Sequence, residues 1–180
     1  MEHADHDIST LLKESAEGDT GSCKKLYEHL VEKVFAYVRF RTATHEQAID
    51  LTQDVLIDFF TALPNFTYQS RAQLYAYVFV ITKRKLAQQY ALMAKTSNFE
   101  SNGLNEQTIP DSELQEQHEV RYDVAHALTV LDETAREIVV LHHWARYTFG
   151  EIALLVAMTE SAVRVRHHRA LAVLREQFKE

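Results

Sequence analysis

Apolar residues recur at intervals of three and four along most of the chain, which is the spacing of helices that bury one face. Before residue 96 this pattern predicts four helices, over residues 8–17, 22–41, 44–63 and 71–93. The second is typical, since one side of it carries Leu26, Leu30, Val34, Tyr37 and Val38. We expect Ser22 to cap this helix after the glycine-containing break at residues 18–21.

The periodicity disappears between residues 96 and 117, where Ser, Asn, Gln and Glu dominate. This composition is typical of a flexible acidic linker. Helical spacing returns from about residue 118, continues in a helix capped by Asp132, and ends in a final pair of helices. The sequence therefore predicts an all-α protein of two small helical domains, residues 8–95 and 118–180, joined by the linker 96–117.

The final pair of helices has the spacing of a helix-turn-helix. Thr148 and Glu151 form a capping box at the first helix, and Thr159 is expected to cap the second after a turn at 156–158. The side of the second helix that we expect to be buried carries Val163, Ala170 and Leu174. The opposite side, which could enter a DNA major groove, carries Ser161, Arg164, Val165, His168 and Arg169. The alternative is an ordinary helical hairpin with a solvated charged face.

Composition supports a helical protein that does not enter a membrane. The 180 residues include only 4 Gly and 2 Pro, so few residues interrupt helices. Cys23 is the single cysteine, which excludes an internal disulfide and fits a reducing compartment. The longest apolar run, Leu74 to Ile81, is far shorter than the roughly 20 residues of a membrane span. Because the acidic N-terminus resembles no targeting peptide, we expect a cytoplasmic protein.

The charge is distributed unevenly. The net charge is −7, yet residues 71–95 contain five basic and no acidic side chains, and residues 159–180 contain five basic and three acidic ones. Phosphate neutralisation supplies most non-specific DNA affinity, so an acidic chain with two basic segments would bind DNA weakly by itself. This distribution indicates a DNA reader that depends on a larger partner.

Three carboxylates follow one face of the third predicted helix, at Asp50, Asp54 and Asp58. Like charges at this spacing repel by a few tenths of a kcal/mol per pair, and no basic residue is near enough in sequence to offset them. One interpretation is a solvated acidic face. The other is a docking surface for a basic partner, with Gln53 and Ile57 as adjacent polar and apolar contacts.

Aromatic and basic residues occur together around the fourth predicted helix. Phe66 and Tyr68 lie in the loop before it, and Lys83, Arg84 and Gln88 lie in its second half. Bases of a melted DNA strand can stack on such rings while the cations contact phosphates. We expect the two loop rings to be exposed and most rings within the helix to belong to the core.

The sequence contains no pattern that indicates an enzyme, a cofactor or a metal site. It has no nucleophile elbow, no Gly-rich phosphate loop and no evident pair of catalytic carboxylates. Adjacent histidines on a helix point about 100° apart, so neither His142-His143 nor His167-His168 forms a chelate. His143 and His167 could meet if their helices cross, and a structural role is the favoured interpretation of that contact.

Several motifs occur in one order. Gly18-Asp19 lies between the first two helices, followed by the segments Ala48 to Val55 and Tyr77 to Arg84. The helix-turn-helix region then adds Arg136-Glu137, Glu151-Ile152-Ala153 and the segment 163–170. Together, over nearly the whole chain, these motifs resemble a bacterial sigma-70 factor of the extracytoplasmic-function (ECF) type.

This resemblance implies a promoter-specificity subunit of RNA polymerase. The implied partners are the polymerase core, through its β′ clamp helices and β flap, promoter DNA and an anti-sigma factor. The implied core contacts are Asp50, Gln53, Asp54 and Ile57. The implied contacts to the melted minus-ten element are Phe66, Tyr68, Lys83, Arg84 and Gln88. Those implied for the minus-thirty-five duplex are Thr148, Ser161, Arg164, Val165, His168 and Arg169.

Five positions depart from the pattern of the family. Ile49 replaces a common glutamate, Tyr77 a tryptophan and Arg84 an asparagine, while Arg146 and Ala157 stand where the helix-turn-helix usually has glycine. Ile49 and the unusual residues around Arg84 leave open a sigma-like decoy or adaptor that binds an anti-sigma partner without starting transcription. A stand-alone helix-turn-helix regulator is a further alternative, with the first domain as a dimerisation or sensor module.

Overall fold

The computed structural model describes the backbone of residues 2–97, 124 and 127–177, and the side chains of residues 8–94, 124 and 127–177. These residues form a short 3-10 turn at Leu63–Asn65 and seven α-helices: Glu2–Ala16 (α1), Thr20–Val38 (α2), His45–Ala62 (α3), Arg71–Ser97 (α4), Glu133–His143 (α5), Phe149–Leu155 (α6) and Glu160–Gln177 (α7). The all-α prediction is confirmed. Residues 98–117 of the predicted linker and most of the helix predicted from residue 118 lie outside the described residues.

The start of α2 differs from the prediction. Asp19, and not Ser22, is the N-cap, because its carboxylate accepts a hydrogen bond of 2.7 Å from the Ser22 N–H. That bond is the main reason that the pKa of Asp19 lies below its ordinary value. Ser22 is buried in the first turn, where its hydroxyl donates to Glu14 of α1 at 2.5 Å. Gly18 supports the reversal with a φ of +94°, a conformation that favours glycine.

Helices α1 to α4 bury the apolar stripes that the spacing predicted. The core-facing positions of α2 and α3 are almost fully inaccessible, and those of α4 close the bundle: Leu26, Leu30, Val34, Val55, Phe59, Leu74, Tyr75, Val78 and Phe79. Helix α2 ends at Val38, earlier than predicted. Thr44 caps α3, accepting a hydrogen bond from the Gln47 N–H.

Helices α5 to α7 form the second half. Asp132 caps α5 as predicted, and its carboxylate accepts a hydrogen bond from the Ala135 N–H. Thr148 and Glu151 make the predicted capping box at α6. The core of this half consists mainly of Ile138, Leu141, Ile152, Val163 and Ala170.

The two halves pack against each other. Trp144, just after α5, meets the Phe40 ring with a centroid distance of 4.8 Å, and Tyr147 meets the Tyr75 ring at 5.0 Å. Buried residues of both halves belong to one apolar cluster. The helices described here include none with the length and apolar character needed to cross a membrane.

Candidate polymerase and nucleic-acid interface

One face of α3 is exposed as the docking interpretation requires. Asp50, Gln53, Asp54 and Ile57 are all exposed, while the other side of the helix is buried. Ile57 is 62% exposed, which is unusual for a large apolar residue on a helix with a well-buried core face. These four residues, called the α3 docking face below, combine negative charge with an apolar contact.

Asp58 does not share this exposure. Its carboxylate lies 2.9 Å from Arg84 Nη2 and 3.1 Å from Lys85 Nζ. No basic residue near Asp58 in sequence balances its negative charge, but these two cations of α4 do. The Arg84 side chain is 58% exposed. An exposed ion pair is worth at most about 1 kcal/mol, so a DNA phosphate can compete for Arg84.

The expected exposure of Phe66 and Tyr68 is wrong. Both rings are partly buried and pack against the core. Phe66 stacks on Tyr77 of α4 with a centroid distance of 4.9 Å and an interplanar angle of 27°. Offset aromatic stacking and apolar burial outweigh the polar character of the surrounding loop. A base could therefore reach only one part of each ring.

Helix α4 exposes an apolar residue that sequence reasoning missed. Val80 is 64% exposed, although it lies within the strongly apolar first half of the helix. Residues three and four positions apart share a helix face, so Val80 lies beside Lys83 and Arg84. Gln88, one turn further on, is also exposed. Its spacing of three and four residues from Lys83 and Arg84 could have predicted that Val80 is exposed on the same face.

Lys83 contacts the second half of the chain. Its Nζ lies 3.2 Å from the Glu137 carboxylate, whose side chain is 8% exposed. The same oxygen, Oε1, accepts a hydrogen bond of 2.7 Å from the Tyr37 hydroxyl. Burial raises the pKa of Tyr37 well above its ordinary value, so the hydroxyl remains a donor. Glu137 thus joins α2, α4 and α5.

Two further polar contacts join the halves near the start of the helix-turn-helix. Arg71 Nε lies 3.2 Å from Glu151, the carboxylate of the capping box. Lys33 Nζ donates to the Ala145 carbonyl at 3.0 Å and lies 4.5 Å from the centroid of the Tyr147 ring. Burial lowers the pKa of Lys33. These contacts hold the entrance to α6 against α2 and α4.

Two turn residues of the second half, at positions where the family usually has glycine, adopt a backbone conformation that favours glycine. Arg146 has a φ of 59° and Ala157 a φ of 53°, both in the left-handed region. A non-glycine residue in this region costs roughly 1–2 kcal/mol. Arg146 and Ala157 therefore both adopt a backbone conformation that favours glycine.

The predicted DNA-reading face is exposed in full. The exposed residues are Thr148, Ser161, Arg164, Val165, His168 and Arg169. Arg164 is held in place, since its Nε and Nη2 donate to Glu160 Oε1 at 3.0 and 2.5 Å. Its guanidinium carbon lies 4.8 Å from the centre of the Phe149 ring. A positioned guanidinium loses less entropy when it pairs with a base.

His143 and His167 meet, as the crossing of their helices could allow. Their Nε2 atoms lie 2.9 Å apart and share a hydrogen bond whose donor depends on the tautomers. His167 was not predicted to be buried, but it lies beside Val163 and Ala170 on the inner face of α7. Among the described residues, no group of three or more His, Cys, Asp or Glu side chains is arranged to hold a metal ion.

A helical half with an exposed acidic face and a second half that ends in a helix-turn-helix fit a DNA-binding transcription protein. Residues 26–91 match the family described as Sigma-70 region 2, and residues 127–176 match Sigma-70, region 4. The ECF RNA polymerase sigma factor ShbA of Streptomyces griseus is 31% identical over an alignment that covers 93% of this chain and 93% of its own. SigD of Mycobacterium tuberculosis, another ECF RNA polymerase sigma factor, is 28% identical over 95% of this chain and 84% of its own.

Solved structures share the fold. CnrH, in complex with the cytosolic domain of CnrY, superposes with a TM-score of 0.69 and 21% identity, covering 96% of this chain and 97% of that one. RpoE of Bartonella quintana, in complex with the anti-sigma factor NepR, gives a TM-score of 0.61 and 20% identity, covering 87% and 96%. The chain belongs to the ECF sigma factors of the sigma-70 family. It is therefore a transcription initiation factor and not an enzyme.

Proposed function

We propose that the chain binds RNA polymerase core through the α3 docking face and sets two DNA-reading surfaces on a promoter. The observation that carries this proposal is the exposure of Asp50, Asp54 and Ile57 on a helix whose opposite face is buried. Exposed carboxylates beside an exposed apolar side chain suit a basic surface with an apolar centre, and complementary charge favours encounter with it. We assign the β′ clamp helices as that surface.

Charge reversal tests the docking face. The double variant Asp50→Lys, Asp54→Lys places two like charges against a basic partner, and we expect it to lose co-purification with polymerase core. The matched control is Glu17→Lys with Glu28→Lys, which makes the same charge change at exposed positions outside α3. Full retention of core by the Asp50 and Asp54 variant would contradict the assignment.

We assign the minus-thirty-five element to the exposed face of α7 together with Thr148. A bidentate Arg–guanine contact supplies roughly 1–3 kcal/mol of discrimination, or about 5- to 150-fold. We expect Arg164→Ala to reduce run-off transcription from a cognate promoter within this range while core binding persists. Arg175→Ala, which removes an exposed cation from the last turn of the same helix, should change transcription little. Equal transcription by the two variants would reject the assignment.

We assign the minus-ten element to the α4 surface formed by Val80, Lys83, Arg84 and Gln88, with partial access to Phe66 and Tyr68. Lys83 is paired with Glu137 while the halves are packed together. A phosphate at Lys83 would face the carboxylate of Glu137, and the like charges would repel. Binding of the minus-ten strand therefore favours separation of the two halves.

An anti-sigma factor is a further proposed partner. CnrH and RpoE, which share this fold, were solved with the cytosolic domain of CnrY and with NepR. In this chain a groove of about 680 Å³ between α5 and α7 exposes Val130, Val165 and Val173 beside Arg166 and Arg169. An amphipathic acidic segment suits these apolar and basic side chains. Val165 and Arg169 also belong to the proposed minus-thirty-five surface, so a segment bound in this groove would exclude minus-thirty-five DNA.

A further inference from the structure

Two imidazoles from different helices meet in the second half of the chain. His143 is the last residue of α5 and is exposed, while His167 in the middle of α7 is 9% exposed. Their Nε2 atoms are 2.9 Å apart and their ring planes differ by 20°. Neither residue belongs to the surfaces proposed above for polymerase or DNA, although His168 follows directly on the exposed face.

The distance between the two nitrogens is close to that between two ligands of one metal ion. Zn–N bonds of about 2.0–2.1 Å at a tetrahedral angle place two nitrogens roughly 3.4 Å apart. An increase of about 0.5 Å is needed, together with a tilt of the rings that aims both lone pairs at one ion, and rotation of the exposed His143 side chain contributes to both. In the present hydrogen bond only one Nε2 carries a hydrogen. Moving that hydrogen to Nδ1 of the same ring leaves both Nε2 lone pairs free, with no net loss of a proton.

Neighbouring side chains restrict the orientation of the His143 and His167 rings. His142 contacts both imidazoles, with centroid distances of 5.1 Å to His143 and 5.0 Å to His167. Its own Nδ1 lies 3.0 Å from the Tyr147 carbonyl oxygen, which fixes its position. Phe149 packs on His167 at 5.0 Å. These ring contacts restrict the rotation of both imidazoles.

We infer that His143 and His167 together form a binding site for one transition-metal ion of the class that imidazole prefers, such as Zn²⁺, Ni²⁺ or Cu²⁺. Water completes the coordination, because the described residues supply no third ligand at this position. The affinity is therefore lower than that of a structural site with four protein ligands, and Cu²⁺ binds more tightly than Ni²⁺ or Zn²⁺. The ion ties the end of α5 to the middle of α7 and stabilises the helix-turn-helix half.

Titration of the full chain tests this site. After treatment with a chelator, Zn²⁺ is added while the imidazole nitrogens are followed by long-range ¹H–¹⁵N NMR and the unfolding temperature is measured. We expect the Nε2 signals of His143 and His167 to shift together and the unfolding temperature to rise. His143→Gln should abolish both effects. Because His143 is exposed, this variant should fold, and its circular dichroism provides the check.

Matched controls separate this site from the other histidines. His168→Gln removes the adjacent exposed ring of α7 and His45→Gln an exposed ring of the first half, and both should retain the coupled shifts. A rise in the unfolding temperature that persists in His143→Gln, or Nε2 signals of His143 and His167 that do not move at saturating Zn²⁺, would overturn the proposal. Neither outcome bears on polymerase binding, so the proposed function is tested separately.

Discussion

The contact between the two halves can be weakened at one buried atom. Glu137 Oε1 accepts from the Tyr37 hydroxyl at 2.7 Å and lies 3.2 Å from Lys83 Nζ. Glu137→Gln keeps an acceptor for Tyr37 but removes the negative charge. We expect this variant to shift the chain towards an arrangement in which the halves are separated.

The magnitude follows from the two contacts. A hydrogen bond to a charged group contributes about 1.5–3 kcal/mol and a neutral one about 0.5–1.5 kcal/mol, so the Tyr37 contact loses about 1 kcal/mol. The Lys83 side chain is 50% exposed, and a solvent-screened pair of this kind adds at most about 1 kcal/mol. The total of about 1–2 kcal/mol corresponds to a shift of roughly 5- to 30-fold towards separated halves.

The single tryptophan provides the assay. Trp144 packs on Phe40 across the contact, so separation of the halves exposes its ring to a quencher in solution. Acrylamide quenching is followed along a urea gradient, with far-UV circular dichroism as the record of helix loss. Because free energy falls linearly with urea, Glu137→Gln should lower the midpoint of quenching more than the midpoint of helix loss.

A control and a contradictory result are both available. Glu17→Gln neutralises an exposed carboxylate just after α1 and should leave both midpoints unchanged. If Glu137→Gln moves the two midpoints by the same amount, the halves unfold as one unit and do not separate first. If it moves neither, Glu137 contributes nothing to the contact. Either result would refute the reasoning that the minus-ten surface is released by separation.

Two further predictions concern the helix-turn-helix half. The lowered pKa values of His143 and His167, the latter about 4, mean that the unfolded chain takes up protons below pH 6.5 that the folded chain does not. The free energy of unfolding should therefore fall as the pH drops from 6.5 towards 4, and urea titrations of His167→Gln should show a weaker pH dependence. Ala157→Gly relieves the left-handed strain at a φ of 53° and should raise the free energy of unfolding by up to about 1 kcal/mol, measured by thermal unfolding.

Local sequence predicted the parts of the fold that depend on near neighbours. The caps at Thr44, Asp132 and Thr148 were predictable because each side chain bonds to a backbone N–H three residues ahead. The cap of α2 was not, since Asp19 and Ser22 are both good capping residues. Asp19 is the cap and Ser22 is not, because the left-handed Gly18 places Asp19 at the first turn of α2 and Ser22 within reach of Glu14.

Contacts between distant residues had no signal in the sequence. Tyr37 and Glu137 are 100 positions apart, and nothing in the sequence around either residue predicts their hydrogen bond. The partial burial of Phe66 depends on the position of Tyr77, which becomes available only once α4 is packed. The polar surfaces of α3 and α7 were predictable because each needs only the helical period and the identity of its own residues.

Transcription with purified components tests the central claim most directly. Core polymerase is mixed with this chain and a library of genomic promoter fragments, and the RNA products are sequenced. We predict transcripts that start at a defined set of promoters sharing two elements, and that disappear with the Asp50→Lys, Asp54→Lys variant. Core that yields the same RNA with and without the chain would contradict a role as a promoter-specificity subunit and favour a decoy or adaptor.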